Sequence, residues 1–294
     1  MKVKVINTGE KKTLHPVGIG RKISELKIAG EKYSDILKIL LQNLSCDTIC
    51  VREDFFPSNE LISKIAKLKN FVVLCPLEGL PVCWSSHGDS NNPYPGAEEI
   101  TCDSESIVIR YPWDLLNINE KLISKLEKNQ ILCEIPGGVN IDGKVKIAST
   151  AKILPGVYIE GNVIIGENCK IGPNCYIRGC SYIGNNCHIG QAVEIKNSIL
   201  MENVSVGHLS YIGDTVICFN TNIGAGTITA NLRHDGKNHK SDCDGKLIDT
   251  GRRKFGAIIG DNVHTGIHTS IYPGRKIWPN MNTVPGEIVK KDIK

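Results

Sequence analysis

Isoleucine recurs at every sixth position from Ile135 to Ile195, eleven times without a miss. A helix buries residues three and four apart, and an ordinary strand buries every second residue. A strict period of six is neither. Small or acidic residues follow many of these isoleucines (Asp142, Ala148, Gly166, Gly172, Gly184, Gly190), and turn formers come next (Pro155-Gly156, Glu160-Gly161-Asn162, Pro173-Asn174, Asn185-Asn186). Each hexad therefore reads as a short strand and a turn. Roughly 18 residues complete one triangular coil of a parallel β-helix, with the isoleucines stacked inward. Past Ile195 the phase slips by one: Leu200, Val206, Ile212 and Cys218 take up the period, and Ile223 follows a second slip. Residues 230–256 break the repeat and read as a polar, basic loop thrown out of the coil. The hexad returns at Ile259, Thr265, Ile271, Ile277, Thr283 and Val289. The all-β coil is thus expected over 129–294.

Residues 1–128 lack the hexad and predict a separate α/β domain. Strands are expected at 2–7, 48–51 and 71–75. Helices are expected at 34–44, with Ser34 as cap, and from Ser58, with Leu61, Ile62, Ile65 and Leu68 on the apolar face. That alternation predicts a parallel sheet. The Ser-, Asn-, Pro- and Gly-rich run 84–100 reads as a long loop, 107–109 as a further strand, and Pro112-Trp113-Asp114 opens a helix through about 127.

Composition changes this picture little. Thirty-five Lys and Arg against 31 acids leave a formal charge of +4, too modest to suggest a nucleic-acid partner. No apolar stretch is long enough for a membrane span, and no basic start leads an apolar run, so a soluble cytoplasmic protein is expected. None of the twelve cysteines forms a CxxC pair. Cys169, Cys175 and Cys187 share one phase of the hexad, two positions before the stacked isoleucine, and read as reduced wall-packing residues.

Three places depart from the pattern. Arg178 follows Ile177 where Gly is commoner, and Lys196 follows Ile195 at the phase slip. They are one coil apart, so they are expected to stack on the same side, where two cations repel unless an anion lies between. A phosphate suits them, Arg offering a fork and Lys a point charge. The third place is His208-Leu-Ser-Tyr211, followed by Asn222 and the Gly224-Ala225-Gly226 run. A neutral His there could take a proton, and the glycines would let an extended ligand approach the backbone.

The segments Val193-Glu-Ile-Lys-Asn197, Gly207-His-Leu-Ser-Tyr-Ile-Gly-Asp214 and Thr221-Asn-Ile-Gly-Ala-Gly-Thr-Ile-Thr-Ala-Asn231 resemble the acetyltransferase domain of the bifunctional N-acetylglucosamine-1-phosphate uridylyltransferase/glucosamine-1-phosphate acetyltransferase family. Asn231 to Lys237, Asp249 to Lys254 and Ile258 to Asp261 resemble its archaeal-type relatives most. The resemblance covers roughly 130–294 and implies a left-handed β-helix, a homotrimer and acetyl-CoA as co-substrate. It implies that His208 is the general base toward an amino-sugar 1-phosphate and that Arg178, Lys196, Tyr211 and Asn222 hold sugar and phosphate. By the same resemblance Asn231, Lys237 and Lys240 lie in a loop closing over the sugar, and Ala225 contacts acetyl-CoA through its backbone. The chain departs from many bacterial members at Leu232 and Ile267. The family's Gly-rich nucleotide loop would fall at Asn7-Thr-Gly9-Glu-Lys-Lys-Thr-Leu-His15-Pro16, which keeps one Gly and lacks the Arg. Tyr111-Pro-Trp-Asp-Leu-Leu116 resembles the helix start before the family's coil. The first domain therefore resembles a shortened nucleotidylyltransferase, expected to be inactive.

Other classes remain open on the sequence. One is a non-catalytic scaffold that binds a sugar nucleotide; another is an active sugar-1-phosphate nucleotidylyltransferase. A γ-type carbonic anhydrase would use three His ligands, with His234, His239, His264 and His268 as candidates. It leaves the Lys, His, Tyr and Asn set without a role, and no metal is expected.

Overall fold

The computed structural model describes residues 2–88 and 90–294, and the chain gathers into two compact units. The first comprises residues up to Lys11, Gly20–Lys27 and Glu31–Arg110. Its core is one five-stranded sheet in the order Lys2–Ile6, Thr48–Arg52, Pro81–Ser86, Phe71–Leu74, Glu98–Thr101. Helices Tyr33–Leu41 and Asn59–Ile65 connect the early strands, and the Ser58 hydroxyl accepts from Leu61 N as the second helix begins.

The sheet is mixed, which corrects the expected parallel arrangement. Lys2–Ile6 and Thr48–Arg52 are parallel, but Pro81–Ser86 runs antiparallel to both neighbours and separates Thr48–Arg52 from Phe71–Leu74. The region read as a loop from 84 onward thus begins inside a strand and holds another at Glu98–Thr101. Its serines hid it. Ser85 and Ser86 are buried, but each hydroxyl is satisfied: Ser85 Oγ accepts from Phe71 N, and Ser86 Oγ donates to Ser90 O.

The second unit comprises Lys12–Ile19, Ile28–Gly30 and Tyr111–Lys294. It is a left-handed parallel β-helix. Two eight-stranded sheets and one five-stranded sheet form its three faces, all pairs parallel. Every strand lies on the strand one coil earlier, as Ile159, Ile177 and Ile195 do. The stacked aliphatic side chains fill the prism, each worth about 1.5–3 kcal/mol on burial. Cys169, Cys175 and Cys187 are buried with them as free thiols, as expected. Toward the C-terminal coils the interior becomes threonine, and its hydroxyls pair with each other and with the backbone, as in Thr269–Thr283 at 2.7 Å.

The phase slips differ in one place from the sequence reading. Leu200 pairs with Ile217, so Ile217 and not Cys218 continues the inner column. Both slips fall in one corner. Arg178 is followed by a two-residue corner, Gly179-Cys180, before the strand Ser181–Ile183. In the next two coils a single residue makes the turn, Asn197 and then Asp214, with φ of 48° and 49°. Asn and Asp tolerate that left-handed conformation better than most residues.

Helix Pro112–Ile123 begins with Pro at its first turn, and the Asp114 carboxylate accepts from Tyr111 N at 2.8 Å. Asn119 Nδ2 donates to Cys180 O, which fixes the helix on the coil. Residues 230–256 leave the coil as an ordered arm with an antiparallel hairpin, Lys240–Cys243 and Lys246–Asp249. No helix of the described residues is long and apolar enough to cross a membrane.

Candidate functional site

The strands Tyr176–Arg178, Glu194–Lys196 and Tyr211–Gly213 lie side by side on one face. Because alternate strand positions face outward, Tyr176 and Arg178 flank the buried Ile177, and Glu194 and Lys196 flank Ile195. Arg178 and Lys196 are therefore register neighbours, as their spacing predicted. Each already has a carboxylate. Arg178 pairs with Glu194 at 2.7 Å, half-exposed, and Lys196 Nζ pairs with Asp214 Oδ2 at 2.7 Å, nearly buried.

Asp214 is the centre of this cluster, and the sequence reading gave it no role. It is the residue that makes the shortened corner, which draws its side chain inward to 3 % exposure. Besides Lys196 it accepts from Asn197 Nδ2 at 3.0 Å and from Asn231 Nδ2 at 2.6 Å. Arg252 lies 3.8 Å from its other oxygen. Arg252 also pairs with Glu120 at 2.5 Å and with Asn117, and so ties the end of the arm to helix Pro112–Ile123. A signal for Asp214 was present: with Ile217 rather than Cys218 on the inner column, the second slip in the hexad falls at that corner.

Asn231 opens the arm and donates to the Tyr211 hydroxyl at 2.9 Å. Burial, with Asp214 and Glu194 nearby, pushes the Tyr211 phenol above its usual range, so it stays protonated and can donate to a ligand. His239 is buried beneath, and its Nε2–H donates to Asn231 O at 3.0 Å. Burial pushes its pKa down and favours the neutral ring.

Arg178, Lys196, Tyr211 and Asn231 are thus brought together. Lys240 begins the hairpin and lines a cavity of about 730 Å³ with Leu232, Arg233, Tyr272 and Arg275. Lys237 is exposed at the turn of the arm, where Asp235 caps its backbone N–H.

The other predicted residues lie elsewhere on the prism. His208 is exposed on the corner before Tyr211–Gly213. Ala225 sits on the same corner one coil on, and Gly226 N donates to His208 O at 2.9 Å. Asn222 is on the third face, paired with Ser205 and bridged to His264. No hydrogen bond among the described residues joins His208 or Asn222 to the cationic cluster. Ile267 stands on that corner beyond Ala225, and large exposed apolar side chains gather there and on the adjoining face: Leu209, Ile228, Ile267, Val284 and Ile288.

Comparison with known proteins gives this geometry a context. Residues 144–179 match the family described as bacterial transferase hexapeptide (six repeats), and residues 170–291 match the GMPPB C-terminal domain. A bifunctional sugar-1-phosphate nucleotidylyltransferase/acetyltransferase of Sulfurisphaera tokodaii is 44% identical over 62% of this chain and 45% of its own length. A bifunctional protein GlmU of Methanococcus maripaludis is 53% identical over 63% of this chain and 45% of its own. Against the bifunctional protein GlmU of Streptococcus uberis the match is 35% identical over 35% of this chain and 19% of that one. The chain spans less than half the length of these relatives.

Proposed function

Since the chain is homologous over more than half its length to archaeal bifunctional sugar-1-phosphate nucleotidylyltransferase/acetyltransferases, we propose that it is an acetyl-CoA-dependent N-acetyltransferase acting on an amino-sugar 1-phosphate. The observation that carries this reading is the pairing of Arg178 and Lys196 in register, with the Tyr211–Asn231 pair beside them. A phosphate would compete with Glu194 for the Arg178 fork, while Asp214 holds the Lys196 ammonium in place. Tyr211 and Asn231 would hydrogen-bond the sugar, with Asn222 as a further polar contact. Lys237 and Lys240, on the arm, would close over it.

In the reaction His208 takes a proton from the amino group, whose lone pair attacks the thioester carbonyl. The N–C bond forms, the C–S bond breaks, and the proton goes to the departing CoA thiolate. Ala225, with a methyl group only, leaves the backbone open to the co-substrate. Acetyl transfer from acetyl-CoA to a panel of amino-sugar 1-phosphates, read by mass spectrometry, tests the reading. Turnover with one acceptor should fall about 10²–10⁴-fold in His208→Ala. A folded wild-type protein inert toward the whole panel would refute it.

The first unit we read as lacking nucleotidyl transfer. Two backbone donors at the expected phosphate loop are already taken: Thr8 N donates to Glu53 Oε1 at 3.1 Å, and Gly9 N to Asn7 Oδ1 at 2.6 Å. Glu53 is buried, so a carboxylate holds ground that a nucleotide phosphate would need. We further propose a homotrimer, in which the apolar edge around Leu209 and Ile267 is covered by a second copy, and a cytoplasmic setting, where the free thiols stay reduced.

A further inference from the structure

Apart from this site, the arm makes one contact of unusual chemistry with the coil. Lys276 lies in the strand Arg275–Ile277 and is 3 % exposed. Its ammonium donates to Asp242 O at 2.6 Å and lies 3.3 Å from Cys243 Sγ, at the end of the first hairpin strand. Other thiols of the coil face backbone carbonyls, such as Cys169 with Gly184 O and Cys187 with Met201 O. Cys243 faces an amine.

The pair borders a small cavity of about 110 Å³, shared with Lys12, His15, Trp278 and Asp292. Two buried polar atoms beside it have no partner, Asp292 Oδ2 and Trp278 Nε1. The other Asp292 oxygen accepts from Lys276 N at 3.0 Å. The cavity volume is several times the roughly 10–15 Å³ of cavity space that one water needs, so the cavity admits a peroxide molecule, which is little larger.

We propose that Cys243 and Lys276 form a redox-sensitive covalent lock between the arm and the coil. Hydrogen peroxide oxidises the Cys243 thiol to the sulfenic acid and is reduced to water. The Lys276 amine then attacks the sulfur: the S–N bond forms, the S–O bond breaks, and the hydroxyl leaves as a second water with a proton from nitrogen. An ammonium must first give up its extra proton, for which Asp292 Oδ2 is an unengaged acceptor. The cross-link therefore contains two hydrogens fewer than the reduced pair. A second peroxide can insert one oxygen between S and N, with release of one more water, and leaves the same tether. Thiol reductants reverse both.

Burial pushes the Cys243 thiol up, and Lys276 offsets only part of that shift, so oxidation should be slower than at an exposed thiolate. The lock would join positions 33 residues apart in sequence and fix the hairpin that begins at Lys240.

Peptide mass spectrometry of the full chain after graded peroxide treatment tests this directly. A cross-linked pair joining the segments that hold Cys243 and Lys276 is expected, with the mass deficit above or that deficit plus one oxygen, and it should vanish on reduction. Lys276→Arg and Cys243→Ser should each abolish it. Amide exchange across 240–249 should slow several-fold in the oxidised wild type. The proposal fails if Cys243 proceeds to sulfinic acid with Lys276 unmodified at every dose. It also fails if Cys243 stays reduced while the other thiols oxidise. Both readings come from the wild-type protein, so neither depends on a variant that folds.

Discussion

Asp214 holds three donors, from Lys196, Asn197 and Asn231, on two carboxylate oxygens. Asn at this position would turn an amide N–H₂ toward one of those donors and leave the nearly buried Lys196 without a counter-charge. Asp214→Asn should therefore cost about 3–5 kcal/mol of stability, the range for breaking a buried pair. Thermal unfolding would register it as a fall of several degrees, and an unchanged midpoint would remove Asp214 from the centre of the cluster. His239 gives a pH dependence. Burial holds its pKa below the ordinary value of 6.5, so the folded arm favours the neutral ring. That contribution is complete above 6.5 and is lost as pH falls through 6.5 toward the depressed value. Amides of 231–254 should exchange faster, relative to the rest of the coil, on acidification from pH 7 to 5. His239→Gln can still donate to Asn231 O but does not titrate, and should flatten the response.

At the scale of elements, the coil was legible because its signal repeats. Each Ile states the same fact about period and facing, and a single odd residue cannot hide the pattern. The Arg178–Lys196 pairing followed from that period alone. The first unit offered no such redundancy. Pro81–Ser86 was missed because buried serines look like loop residues until their hydrogen-bond partners are known. Asp214 was overlooked for a related reason: its role comes from a corner one residue shorter than the Gly179-Cys180 corner two coils earlier, and the sequence reading placed Cys218, not Ile217, on the inner column. Glycines on the corners carry a further constraint. A Cβ on Gly207 would stand 2.6 Å from Ala225 N, between the His208 corner and the next coil. Gly207→Ala should cost about 1–3 kcal/mol and reduce the proposed acetyl transfer by shifting His208 against Ala225. Gly137→Ala, which meets nothing within 4 Å, should leave both unchanged. Equal midpoints for the two variants would show that the coils have room to part.

Across the whole molecule, the reading turns on where the prism places its chemistry. The cationic cluster lies on one face, His208 on the corner beside it, and Asn222 around that corner on the next face. A convex prism points these side chains apart, whereas catalysis needs them around one substrate. A second copy laid against the apolar edge at Leu209, Ile228 and Ile267 could bring its His208 toward the first copy's Arg178 and Lys196. In a cyclic trimer each of the three interfaces would then build one site from two chains. Complementation tests this. Lys196→Ala and His208→Ala should each be inactive alone. When equal amounts are unfolded and reassembled together, a site is intact only where a His208→Ala chain supplies the cluster and the adjacent Lys196→Ala chain supplies the base. Random assembly makes that about a quarter of all sites, so about a quarter of wild-type turnover should return. A mixture as inactive as its parents, in trimers shown by mass to contain both chains, would place the base and the cluster of each site in a single chain.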